Sequence, residues 1–366
     1  MLSRRHLIAT MPALAFGQTR KFARSFHYIQ PDSKLVLVDI VFGSDKKGWA
    51  MGGTISAGRV KGTLLSTLDG GASWQSTELK FIPRSIFPLD DSSLWAVSER
   101  GEIWFSAESG RDWKKLSRQD GALKVHFINN QTGFLVGAKK TFMRTEDGGK
   151  TWRHIPEAAQ VTGSADSFSY KNVDLWNGKL GIATGSADRV SNRTRRVELP
   201  DWMEPEMATF KTSEPHVMVT LQTKDAGKTW IKQEVVGFGY VDRTLIGADG
   251  AGFILIKFDR SFDYGGELYT FSPIQSKKGE RILREKNLYY QDIAYVPGNG
   301  LYLACTERLG ILPVPTKVRI KHTKDFANWT DISVDYRAVA KNVTLSATPS
   351  GKVFAALDQG TILALQ

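Results

Sequence analysis

Short runs of alternating apolar and polar residues, separated by glycine-bearing turns, recur along the chain from about residue 33 onward. Alternation with a period of two predicts strands, and turn residues between successive runs predict hairpins. Leu64, Leu65, Ser66 and Thr67 form one such run, which leads into Asp69, Gly70, Gly71, Ser73 and Trp74. The same frame returns without a gap at Asp147, Gly149, Thr151 and Trp152, and again at Asp225, Gly227, Thr229 and Trp230. A fourth copy carries Glu108 in place of the aspartate and ends at Trp113, and a fifth, with Asp325 and Trp329, is one residue shorter. The tryptophans at 74, 113, 152 and 230 are 39, 39 and 78 residues apart. A fixed period near 40 predicts stacked supersecondary units.

The residue types of the repeat explain themselves as turn chemistry. An aspartate ahead of a glycine pair is hairpin punctuation, its carboxylate able to accept N–H groups across its own turn, and the Ser or Thr hydroxyl can do likewise. The tryptophan is then expected to bury its ring between adjacent sheets with one edge near water. Catalytic or calcium-binding roles for these aspartates are disfavoured, because a single active site would not be copied into every unit. This is the Asp-box, or bacterial neuraminidase repeat, and it makes an all-β propeller the expected fold. A second pattern precedes each box: Asp39 to Gly52, Val125 to Gly137 and Val173 to Gly185 align, giving two further strands and hence four per blade. Seven blades are expected, at about 33–80, 81–119, 120–158, 159–236, 237–287, 288–334 and 335–366, with six as the alternative. The last is short, so Phe22 to Gln30 is expected to pair with it and close the ring.

The composite unit D-I-x-F … G-W-A-x-G … S-T-x-D-G-G-x-S-W, from Asp39 to Trp74, resembles the repeat of photosystem II stability/assembly factors. The resemblance covers most of residues 35–230 and fades beyond them. It implies an exported seven-bladed Asp-box propeller, a chaperone-like module that binds a membrane-protein partner during assembly. Similar repeats occur in sialidases, sorting receptors and xyloglucan-degrading enzymes, so the motif speaks to fold more strongly than to role.

A formal charge of +11 admits several anionic partners, so its placement matters more than its size. Propeller ligands line the central channel, where the innermost strands begin. At one offset from Phe42 and its counterparts stand Asp39, Arg84, Lys124, Asn172, Asp292 and Asn342, with Arg243 or Asp242 in the fifth unit. His126 faces the channel in the same register, and Lys171, Gln291 and Arg337 adjoin it. Arginine and lysine at such a mouth suit a carboxylate or an acidic peptide; the plainer alternative is a strand end meeting water. An insertion at about 186–215 lengthens the fourth unit and carries Arg189, Arg193, Arg195 and Arg196 ahead of Asp201, Glu204 and Glu206. Its arginines could contact phosphate, carboxylate or anionic headgroups, or pair with its own acidic half.

A sialidase-like reading would assign Arg84, Arg243 and Arg337 to a substrate carboxylate and Tyr240 or Tyr336 to the nucleophile. The Arg-x-Pro signature that precedes the first box in sialidases is missing, and neither tyrosine has an identifiable glutamate partner. No phosphate loop, Gly-x-Ser-x-Gly or His-Glu-x-x-His motif occurs, and the six histidines lack metal-ligand spacing, so no cofactor or metal is expected. Aromatic–basic interleaving of the kind that binds single-stranded nucleic acid is also missing. Residues 1–17 read as a twin-arginine export signal: Arg4 and Arg5, an apolar stretch to Phe16, an Ala13-Leu14-Ala15 cleavage site, and no acidic residue before Asp32. The one cysteine, Cys305, is far from that segment and cannot serve as its lipid anchor. The sequence thus describes a periplasmic or secreted, monomeric, non-enzymatic propeller, one domain from 22 to 366. Its expected partner is a protein or peptide, such as an acidic segment of a membrane protein, which would bring it close to a membrane surface. A sialidase-like hydrolase or carbohydrate-binding propeller is the alternative.

Overall fold

A computed structural model describes residues 20–30, 32–187, 201, 215–259, 262–273, 279–309, 314–335 and 337–366. Apart from the short helix Pro156–Ala159, its regular elements are strands. Five four-stranded antiparallel sheets span 33–79, 83–118, 122–154, 168–237 and 240–286, each running in simple meander order from inside to outside. The pattern of burial follows the sequence. Second strands such as Leu94–Ser98 and Gly133–Gly137 are buried throughout, while outer strands such as Lys114–Arg118 carry the exposed charges. Between blades lie apolar clusters, for example Trp95, Val97 and Ile103 of one sheet against Val125, Phe127 and Leu135 of the next.

The propeller is confirmed, but the expectation of seven separate blades, or six, is corrected. Only five blades are separate four-stranded sheets; the remaining strands form one nine-stranded sheet. Its cause is the N-terminal strand Lys21–His27, which bonds along both edges. One edge pairs antiparallel with Thr361–Leu365, and the other pairs parallel with Thr330–Val334 through Lys21↔Ser333 and Phe22↔Val334. The hydrogen-bond network therefore runs without a break from the 288–334 meander to the 343–365 meander, where repeat counting placed a boundary. The N-terminal segment does close the ring against the last unit, and Phe22 is fully buried among Tyr302, Ile320, Val353 and Leu363.

The Asp-boxes perform the turn chemistry expected of them. In the first box, Thr67 Oγ1 donates to Asp69 Oδ1 at 2.8 Å and accepts the Gly71 N–H at 2.9 Å, while Ser73 donates N–H and Oγ–H to the same carboxylate at 2.9 and 2.6 Å. Asp147 with Thr145 and Thr151, and Asp225 with Thr223 and Thr229, repeat this cage. These hydrogen bonds to the ionised form hold Asp69 and Asp225 down to about 2. With the folded value below the unfolded one, the cages contribute stability above the unfolded carboxylate pKa and lose it as pH falls towards about 2.

Each box tryptophan meets the preceding sheet. Trp152 lies edge-on to Phe127 of its own sheet and donates its indole N–H to Ser117 of the preceding one at 3.2 Å, and Trp230 packs edge-on to Phe134 and Phe142 of the preceding sheet. Trp74 donates to Ser25 of the closing strand at 3.0 Å, tying the first blade to the seam. Gly227 shows why the turn needs glycine: its φ is +72°, and a Cβ there would lie 2.3 Å from the Phe134 ring.

Candidate functional site

Six innermost strands carry the same irregularity, and it builds the channel. Register breaks occur at Leu37/Asp39, Pro83/Ser85, Ala122/Lys124, Tyr170/Asn172, Val241/Arg243 and Tyr290/Asp292. A bulge inserts one residue and re-aims the side chain that follows it. Five of the positions read from the sequence, Asp39, Lys124, His126, Asn172 and Arg243, converge on one central cavity of about 280 Å3. Asp292 stands behind Arg243, its Oδ1 3.3 Å from Arg243 Nε.

The carboxylates of this ring are stitched into the backbone. Asp39 Oδ2 accepts the Ile86 N–H at 3.0 Å, Asp174 Oδ2 the Ile246 N–H at 2.8 Å, and Asp292 Oδ2 the Leu345 N–H at 2.9 Å. In each case the aspartate of one innermost strand holds the innermost strand of the next unit. Asn172 Nδ2 does the converse, donating to the Asp242 carbonyl at 2.9 Å. Charge is thus mixed rather than positive: Asp39, Asp174 and Asp292 face Lys124 and Arg243, and the His126 ring stands with its Nδ1 3.6 Å from Asp174 Oδ1.

Enclosure tunes these groups. Burial, followed by the charge of Arg243, pushes Lys124 down to about 8 despite Asp39. Burial raises Asp39 against the opposing pull of Lys124, and lowers His126 against that of Asp174. Burial alone would lower Arg243, yet Asp292, Asp39 and Asp174 together raise it. Arg243 Nε is buried and, among the described residues, makes no well-directed hydrogen bond. A polar cavity with an unsatisfied guanidinium N–H and a lysine titrating near neutrality can accept hydrogen-bonding groups of a ligand.

Two expected residues lie elsewhere. Arg84 falls on the bulge itself and is exposed, because Pro88 rather than Phe87 ends that strand's pairing, opposite Leu94. Ser85 takes the channel register instead and donates to the Leu123 carbonyl of the next blade at 2.9 Å. Arg337 precedes the innermost strand Val343–Ala347 and is held by Asp335, Nε to Oδ1 at 3.0 Å and Nη2 to Oδ2 at 2.8 Å. Arg84, Arg243 and Arg337 are therefore not brought together as a sialidase-like site requires. Lys171 caps the Tyr240 ring at 4.1 Å, and Gln291 donates to Thr306 at 2.9 Å. Arg189, Arg193, Arg195, Arg196 and Tyr336 lie outside the described residues, as does the segment 1–17. Asp201 of the insertion is described: it receives a two-pronged bond from Arg281, at 2.9 and 3.0 Å, and pairs with Arg284. Sequence reasoning missed Asp174. It stands at the offset that singled out His126, one residue before the Leu175 and Phe127 that align, so the signal was present.

Fold and channel together define the class, a β-propeller built on Asp-box repeats with a closed ring and a charged central cavity. A family model described as "Photosynthesis system II assembly factor YCF48" matches residues 108–242. The "Photosystem II assembly lipoprotein Ycf48" of Prochlorococcus marinus (strain MIT 9312) is 24% identical over 267 residues, covering 69% of this chain and 74% of the relative. Among solved structures, "YCF48 bound to D1 peptide" superposes with a TM-score of 0.59 at 16% identity, covering 97% of this chain and 99% of that one. The GH74 xyloglucanase from Xanthomonas campestris reaches 0.60 at 12% identity, covering 94% of this chain and 53% of that one, a likeness of fold alone. The chain is thus similar, in repeat and in fold, to the photosystem II assembly factor-like family of BNR propellers.

Proposed function

We propose that this propeller is a non-enzymatic assembly or stability factor that holds a segment of a protein partner at its central channel. The observation that carries the reading is the cavity where Lys124, His126 and Arg243 stand among carboxylates already engaged by backbone N–H groups. Lys124 and the Arg243 Nε–H are thereby the donors left to meet a ligand, and carboxylate-bearing or carbonyl-rich peptide is the chemistry they suit. A relative whose structure is described as bound to a D1 peptide supports a peptide partner. The test is retention of membrane-complex subunits from a detergent extract by the immobilised chain. Lys124→Glu is expected to reduce capture at least tenfold while Arg84→Glu, on an exposed bulge, leaves it unchanged; equal capture by all three proteins would remove the channel from the reading.

Export is part of the same proposal, resting on Arg4, Arg5 and the apolar stretch behind them. Relatives are named lipoproteins, which accords with a location outside the cytoplasm. Here the only cysteine, Cys305, is buried in the strand Gly300–Glu307 with its thiol pushed up by burial, so the reading includes no cysteine-linked lipid. Fractionation of an expressing bacterium is expected to recover the chain in the periplasm, and Arg4→Lys with Arg5→Lys to trap it inside. Unchanged periplasmic recovery of that double variant would exclude the twin-arginine route.

A further inference from the structure

The seam that closes the ring contains a second cavity, of about 230 Å3, that no part of the channel reading uses. Three segments meet there: the closing strand with Arg24 and His27, the turn with Asp335 and Arg337, and the last hairpin with Leu357, Thr361 and Leu363. Asp335 is committed to Arg337 through both carboxylate oxygens. Arg24 differs: it makes no hydrogen bond or ion pair among the described residues, although it lines the cavity. His27 Nδ1 lies 2.7 Å from Thr361 Oγ1, which fixes the ring across the seam. Among the described residues that line it, two guanidinium groups stand against one carboxylate, which leaves one positive charge when His27 is neutral. The imidazole registers that field, since burial and then Arg24 and Arg337 all lower its pKa. Behind the charges the walls are apolar, with Val339, Leu357 and Leu363.

We propose that the seam cavity binds a small monocarboxylate, its carboxylate on Arg24 beside the His27 ring and its short aliphatic part against Val339, Leu357 and Leu363. One uncompensated positive charge matches a monoanion, and the apolar walls favour a hydrocarbon tail over a bare oxyanion. The volume is below the usual range for drug-sized ligands, which confines the guest to a few heavy atoms. Such a guest touches the first strand and the last hairpin at once. Binding is thereby linked to ring closure, and a ligand that binds only the closed ring raises its melting temperature.

The experiment is thermal melting of the full chain in sodium butyrate against sodium chloride at equal ionic strength and pH 7. Butyrate is expected to raise the melting temperature by several degrees, in a saturable way, while chloride does not. Arg24→Gln, an exposed position, is expected to melt normally without ligand and to lose the butyrate response, and His27→Phe to weaken it. Inorganic phosphate is expected to give a smaller rise than butyrate. A butyrate response equal to that of chloride, one retained in full by Arg24→Gln, or a larger rise with phosphate would each overturn the proposal.

Discussion

Phe22→Ala is expected to lower the stability of the propeller by about 3–5 kcal/mol, the range for truncating a fully buried phenylalanine. Phe22 has 0% of its surface exposed and touches side chains from both meanders of the nine-stranded sheet. Its own backbone pairs with Leu365 on one side and Val334 on the other. The cavity left by alanine would therefore open at the one place where two halves of a sheet depend on an inserted strand. Urea unfolding followed by tryptophan fluorescence measures the loss, and a change below about 1 kcal/mol would mean that the seam holds without this ring. Removing residues 21–27 altogether is expected to be harsher. Thr361–Leu365 and Thr330–Val334 would then present bare edges, and size-exclusion chromatography should show aggregation.

Asp292→Ala is the second large effect, expected at about 3–5 kcal/mol, as for breaking a buried ion pair by removing one partner. The substitution strips the Leu345 and Ile293 N–H groups of their acceptor and leaves Arg243 without its nearest counter-charge, 3.3 Å away. Asp292→Asn keeps a carbonyl oxygen for one of the N–H groups and is expected to lose clearly less. Equal losses for the two variants would show that charge, not the strand-to-strand hydrogen bond, dominates. A double variant with Arg243→Met is expected to recover part of the alanine deficit, because the orphaned guanidinium is then gone.

Much of this was legible in the residues. Asp69, Gly71 and Trp74, repeated at a fixed spacing, encode a local turn and a packing contact, and local encoding survives reading without coordinates. The channel was half legible for a physical reason. Lys124, Asn172 and Arg243 fall where a constant offset puts them because the register break immediately precedes each, whereas in the second unit the break lies one residue nearer the aligned aromatic and throws Arg84 onto the bulge. In the last unit that offset points to Asn342, just ahead of the strand Val343–Ala347, and the neighbouring Arg337 belongs to the connection before it. Charge balance was least legible: whether Asp39 and Asp292 serve a ligand or a neighbouring backbone depends on N–H groups of the next unit, which carry no sequence signal. Sheet count failed similarly, since Lys21–His27 has a second neighbour, Thr330–Val334, that no hairpin rule connects to it.

The pairing of Phe22 with Leu365 also sets an order of events. A ribosome makes Phe22 long before Leu365, so the ring cannot lock until the strand Thr361–Leu365 has emerged. The separate blades rest on neighbours close in sequence and can form as the chain emerges. Closure instead brings together strands from the two extremes of the propeller, a strongly non-local contact, and its loop entropy falls on that late step. Until then the partner edges Thr361–Leu365 and Thr330–Val334 are open to other chains. The strand Lys21–His27 thus acts as the fastener of a molecule that is otherwise assembled in series.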